Sequence, residues 1–287
     1  MSRTRTIQVS ALNITMHSPH SPQRYVDLLK RALSRRKIFK QGEIHALMLG
    51  SLTGAASAVE KNELTGEVFR FVKVDAAEPW FNSATLKQAT DDELDDISIP
   101  PHLFAHMQRI QFVFLPKEHQ LWFASADGKN RLGPLRAESF FQDLLTEATT
   151  SQNGPQVDVT AIPDKSALDD LFALHKLSRI TMQFKRPNPD DVGSVAARIK
   201  QRMQDQRVAT VNEELIAEKG ESIKPDATTK VEAAVAAMNG YVEVVGKDEL
   251  GMTVTDSTVN KPLRIPIKVN PNTETTVAAL LRARTNH

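Results

Sequence analysis

Seven cations crowd the stretch "RYVDLLKRALSRRKIFK": Arg24, Lys30, Arg31, Arg35, Arg36, Lys37 and Lys40 stand against a single acid, Asp27. A second set, Lys176, Arg179, Lys185, Arg186, Arg198, Lys200, Arg202 and Arg207, is opposed over its own span only by Asp190, Asp191 and Asp205. Lysine and arginine at this density can neutralise successive backbone phosphates, which gives sequence-independent, salt-sensitive binding of nucleic acid. If the strand end and the helix of the second set face the same way, about half of its cations line one groove. The competing reading is the wet side of a surface helix; for the N-terminal set alone it stands slightly ahead, and the two sets together bring the readings level. Aromatic residues do not interleave with either set, so stacking on unpaired bases is less favoured than phosphate contact.

Other chemistry finds less support. "GSLTGAAS" has Gly50 and Gly54 but no lysine after them, so it is a small-residue turn or packing site and not a phosphate-cradling loop. His102 and His106 have the i, i+4 spacing of a helical metal pair, but Leu103 stands where a metalloprotease needs glutamate. His17 and His20 flank Ser18-Pro19 in a loop, and His119 falls in a hairpin turn where a solvated side chain is expected. A metal-dependent nuclease needs two or three converging carboxylates. Pro163-Asp164, Pro189-Asp190 and Pro225-Asp226 supply only the first part of such a pattern, and Asp127-Gly128-Lys129 lacks a preceding partner. Asp190 and Asp191 suit the first turn of a helix, where they complement its dipole. The run "DDELDD" (Asp91 to Asp96) reads as a solvated loop or helix start, with binding to a basic partner segment as the alternative. No catalytic residues, metal site or cofactor are assigned.

The bulk composition sets the frame for these residues. With 287 residues the chain can bury a sizeable core. A net charge of +1 removes any global pull toward polyanions, so attraction must come from local asymmetry. The absence of cysteine excludes disulfides, thiolate zinc sites and cysteine nucleophiles. No apolar run reaches membrane-spanning length, and "MSRTRTIQVSALNITMH" has no signal-like apolar core, so a cytoplasmic location is expected.

Positioning falls to alternating strands and helices. "TIQVSALNITMH" alternates through Ile7, Val9, Leu12, Ile14 and Met16, with one slip near Ala11, and predicts a first strand. Ser21-Pro22 then starts a helix whose apolar stripe is Tyr25, Leu28, Leu29 and Leu33. "IHALMLGSL" and "GEVFRFVKV" predict two strands, and "RIQFVFLPKEHQLWFAS" a hairpin turning at 116–120. An amphipathic helix follows, then the polar linker "TTSQNGPQ" at 149–156. Beyond it, strands are expected at "VDVTAI", "LSRITMQFKRP", "YVEVVGKDELGMTVTDS" and "RIPIKV". Helices are expected at "KSALDDLFAL", after the "NPDD" cap, at "TTKVEAAVAAMNG" with Gly240 as its stop, and at the C-terminal end. The expectation is an α+β fold with mainly antiparallel sheets in two subdomains, 1–150 and 155–287.

A resemblance narrows the functional choice. "SIPPHLFAHMQRIQFVFLPKEHQLWFASADGKNRLGPLRAESFFQDLL" and "ALHKLSRITMQFKRPNPDDVGSVAARIKQRM" resemble, in their order of elements, segments of RexA-like phage-exclusion proteins. The chain is also similar to an uncharacterised bacterial and prophage family through "NITMHSP…RYVDLL", "PNPDD" and "NGYVEV…DST". The resemblance implies prophage-encoded anti-phage defence by a non-catalytic, DNA-binding homo-oligomer. Carried over by position, it points to the basic residues flanking "PNPDD": Arg179, Lys185, Arg186, Lys200 and Arg202. Arg31, Arg35 and Arg36 of the N-terminal helix have no counterpart in it and come second. Two alternatives stand beside this expectation: a toxin-like metal-dependent nuclease restrained by a regulatory protein, and a protein–protein inhibitor module acting through the acidic run.

Overall fold

The computed structural model describes residues 4–17, 20–74, 78–95, 97–149, 155–187 and 194–286. Most of the linker expected at 149–156, and the "NPDD" helix start at 188–191, lie outside these residues. In chain order the elements are β1 (Arg5–Met16), α1 (Pro22–Arg35), β2 (Phe39–Gln41), β3 (His45–Thr53), α2 (Ala58–Lys61) and β4 (Leu64–Val72). Then come β5 (Phe81–Asn82), β6 (Lys87–Gln88), α3 (Asp91–Leu94), β7 (Ala105–Leu115), β8 (Gln120–Asp127), β9 (Asn130–Arg131) and α4 (Pro134–Ala148). The chain continues through β10 (Val157–Ala161), α5 (Ala167–Phe172), β11 (Lys176–Lys185), α6 (Ser194–Asp205), β12 (Thr210–Ile216) and α7 (Ala227–Asn239). It ends with β13 (Gly240–Lys247), β14 (Thr253–Ser257), β15 (Ile265–Val269) and α8 (Thr276–Thr285). Every strand pairing among the described residues is antiparallel, so the α+β class holds.

The larger sheet runs β10-β1-β8-β7-β4-β3-β2, and β15 pairs with the first half of β1 while β10 pairs with the second. This explains the slip near Ala11. Ile7, Val9 and Ala11 point into one core with Trp122, Leu263, Ala279 and Leu280. Leu12, Ile14 and Met16 point into the opposite core, under α1 and α4. The strand keeps its period of two throughout; the apolar residues change face because helices cover both sides of the sheet. On the second side Tyr25, Val26, Leu28 and Leu29 of α1 are buried, and Phe140, Phe141, Leu144 and Leu145 of α4 join them.

The smaller sheet, β12-β11-β13-β14, buries Ile180, Met182, Phe184, Val242 and Val244 beneath Ile199 and Met203 of α6 and Ala233, Ala236 and Ala237 of α7. The two sheets do not divide at residues 150–155. Both β10 and β15 belong to the larger sheet, so the smaller one is an insertion between them, closed by a bridge from Pro163 to Pro262. Asn13 ties the units together: its buried amide donates to the Met238 carbonyl (3.0 Å) and to Asn239 Oδ1 (3.1 Å) at the end of α7. Gly240 follows with an extended φ of 170°, not the left-handed stop expected of it. It is glycine because a Cβ there would lie 2.1 Å from the Gln183 carbonyl oxygen.

Candidate anion-binding surface

The second basic set does not form the expected groove. Ile199 and Met203 seat α6 on the face of the smaller sheet that holds Ile180, Met182 and Phe184. Arg179 and Lys185 are out of phase with those residues and lie on the other face. Cross-strand register confirms this: Arg179 pairs with Glu214 (3.5 Å), which lies opposite Thr181. Arg202 of α6 pairs instead with Glu213 (2.9 Å), which lies opposite buried Met182. Arg198 pairs with Glu232 of α7 (2.6 Å). Arg186 donates to the Val208 carbonyl (3.3 Å) and its Nε is buried, which makes it a strut between strand end and helix end. Lys200 is half-buried on α6. Lys185 lies close enough to Glu138 of α4 to stabilise its carboxylate. Exposed ion pairs are worth only about 0–1 kcal/mol each, but matching removes the net field that attracts a polyanion.

The N-terminal set is differently placed. Arg35 and Lys37 both reach Glu147 at the end of α4, Lys37 at 2.9 Å. Lys30, Arg31 and Arg36 are exposed and have no ion pair among the described residues. Lys30, Leu33, Ser34 and Arg36 form one wall of a depression of about 690 Å³, with Met48 to Leu52 of β3 as its floor. Beyond β2 a second depression of about 280 Å³ opens between Lys40 and Gln41 on one side and Arg136 and Ser139 of α4 on the other. Leu47 lines the second and Leu49, the next residue on the same face of β3, lines the first, so the two lie along one strand.

Here the helix-covered face of the larger sheet ends in polar residues. Phe39, Leu47, Arg70 and Gln108 form one row across four strands, and Gln41, His45 and Val72 form the next. Arg70 therefore sits where the core pattern asks for an apolar side chain, in phase with Val68 and Val72. Its guanidinium donates to Gln41 Oε1 (3.2 Å) and Gln108 Oε1 (3.4 Å), both neutral acceptors. Burial, then the neighbouring Arg136, holds the Arg70 pKa below its usual value. His45 is also lowered, first by burial and then by Arg70 and Arg136. Two guanidiniums thus press on one another, and on an imidazole they hold in its neutral form, without an ion pair to any of them among the described residues. The nearest carboxylate on the wall is Asp143, two turns along α4 from Arg136. Such a cluster is poised to accept an anion. The sequence held one signal for it, an arginine in the core phase of β4.

The remaining candidates are structural. His102 and His106 share no helix: His106 opens β7 with φ 54° and His102 lies in the turn before it. His119 is not solvated but 3% exposed, packed 4.8 Å from the Tyr25 ring and 4.6 Å from His20, because the β7–β8 turn tucks beneath the start of α1. His17 meets Asp158 at 2.8 Å. Asp127 pairs with Arg5, Asp164 holds Ser166, and Asp226 caps α7. No three His, Asp or Glu residues converge as a metal site requires, among the described residues. Thr90 and Glu93 form a capping box around α3, so the acidic run is a short helix start. Gly50 packs beneath the Phe69 ring, where a Cβ would lie 2.5 Å away. Among the described residues no helix is long and apolar enough to cross a membrane.

Fold and surface define an antiparallel α+β protein with a two-part cationic seam between its first helix, the edge of its larger sheet and α4. The chain belongs to the family described as a domain of unknown function, DUF4747, which matches residues 5–284. No curated protein matches it.

Proposed function

We propose that the protein is a cytoplasmic, non-catalytic phage-exclusion protein that grips nucleic-acid phosphates along this seam. The observation that carries the binding half is the set of cations without ion-pair partners among the described residues, Lys30 and Arg36 at the larger depression and Lys40 and Arg136 at the smaller, with Arg70 and His45 beside Arg136. The phage-exclusion half rests on the resemblance of 98–145 and 173–203 to RexA-like proteins. Contacts of this kind are made to the backbone and carry little sequence preference. In this reading Arg31 and Arg36 rank ahead of Arg179, Lys185, Arg186, Lys200 and Arg202, the reverse of the order the resemblance alone implies. Self-association would place two seams on one nucleic acid, and a regulatory protein would control access to them.

The test is a gel shift of the purified protein against duplex DNA, single-stranded DNA and RNA over a salt series, with and without magnesium. Salt-sensitive binding to nucleic acid recovered uncut supports the proposal. Magnesium-dependent cutting would replace it with the nuclease reading, and no binding in any lane would refute it.

A further inference from the structure

We infer that the smaller depression, between Lys40–Gln41 and Arg136–Ser139, is a discrete site for a terminal phosphate monoester, so that the protein engages nucleic-acid ends as well as backbone. This rests on the proposed nucleic-acid binding for its biological setting, but not for its chemistry.

Four observations converge on it. The site is bounded on two sides, by β2 and by the first two turns of α4, and its volume of about 280 Å³ is at the small end for ligand pockets. That space admits a chain end or a single nucleotide, whereas an internal phosphate of a duplex stays at the rim. Its walls combine Lys40 and Arg136 with the apolar edges of Phe39, Leu47 and Leu135, the mixture a phosphorylated residue presents. Behind Gln41 lies Arg70, whose Nε–H donates to the Gln41 side-chain carbonyl at 3.2 Å. Finally, α4 begins with Gly133 and Pro134, with no side chain capping its first turn and no acid in it, so its free backbone N–H groups add to the field of Arg136.

Charge selects the class of phosphate. A backbone diester carries one negative charge, whereas a monoester carries about −1.5 to −2 at neutral pH. Two guanidiniums that repel one another, with a lysine on the facing wall, gain most from the ligand that neutralises most of their charge. Asp143, at the far end of the wall, opposes this and sets which way a ligand lies, with its phosphate toward Arg136.

The experiment compares a short single-stranded oligonucleotide bearing a 5′- or 3′-phosphate with the same oligonucleotide ending in hydroxyls, by fluorescence anisotropy at fixed salt. At least one phosphorylated form should bind about tenfold tighter, the gain of one charge-assisted contact. Lys40→Gln and Arg136→Gln, both at exposed positions, should bring that ratio close to one without shifting the thermal melt. Equal affinity of all forms in the wild type, or a ratio kept in the double variant, overturns the inference while leaving backbone binding intact. If no oligonucleotide binds, the backbone proposal fails and thermal shift with a nucleoside monophosphate decides this one. Stabilisation by the monophosphate but not by the nucleoside, lost in Lys40→Gln/Arg136→Gln, supports the site; its absence overturns it.

Discussion

The two basic regions make opposite predictions for the salt dependence of binding. Four cations line the seam outside any ion pair among the described residues: Lys30, Arg36, Lys40 and Arg136. If each neutralises one duplex phosphate, the slope of log K against log salt is about −3.6, from about 0.9 per contact. Raising salt from about 50 to 200 mM then weakens binding about 150-fold. Replacing Lys40 and Arg136 with glutamine removes two contacts, so the slope should fall to about −1.8 and the same salt step should cost only about 12-fold. Arg179→Gln/Arg202→Gln removes the same formal charge, but from side chains already matched by Glu214 and Glu213. That variant should lower affinity at each salt, through the exposed glutamates, without changing the slope. Anisotropy titrations of the three proteins at five or so salt concentrations measure both quantities. A slope unchanged in Lys40→Gln/Arg136→Gln, or flattened only in Arg179→Gln/Arg202→Gln, would refute the assignment of phosphate contacts to the seam.

Three further outcomes concern the scaffold. Burial raises the pKa of Glu138, against the opposing hydrogen bond from the Ala161 N–H and the charge of Lys185, so the folded state holds its proton more tightly than the unfolded chain does. Stability therefore falls as pH rises through the window above the ordinary carboxyl value of 4.5, and Glu138→Gln should gain on the wild type across that window and hold the gain at neutral pH; urea unfolding at several pH values would contradict this if the difference stayed constant. Gly240→Ala drives a methyl into the Gln183 carbonyl at the start of β13 and should cost about 1–3 kcal/mol or more, seen as an early thermal transition. Tyr25→Phe removes the hydroxyl that accepts from the Met16 N–H at 2.9 Å, leaving a buried donor, and should cost about 1–3 kcal/mol in urea unfolding.

Much of the scaffold was legible because its signals are local. The hairpin around 116–120 and the α1 stripe follow directly from period and turn chemistry. β12 was missed because it is an exposed edge strand: Glu213, Glu214 and Ile216 follow no buried alternation, and its place is set by pairing with β11. The division at 150–155 misled for a similar reason, since a polar linker marks a surface crossing and not which sheet the next strand joins. The candidate site was the least legible part. Lys40, His45, Arg70 and Arg136 come from three strands and a helix, and nothing in their separate segments shows that they meet. What sequence showed as density, the runs of cations, is largely spent on Glu147, Glu213, Glu214 and Glu232.

The pairing of β15 with β1 has a bearing on synthesis. The edge from Arg5 to Val9 is covered by Ile265–Val269, which leaves the ribosome some 250 residues later. At the usual pace of about 5–20 residues per second, that edge stays open for tens of seconds or less, offering unpaired N–H and C=O groups beside Ile7 and Val9. The nascent chain is therefore most exposed to misassembly at its first strand, and a stop before residue 265 would leave that vulnerability permanent.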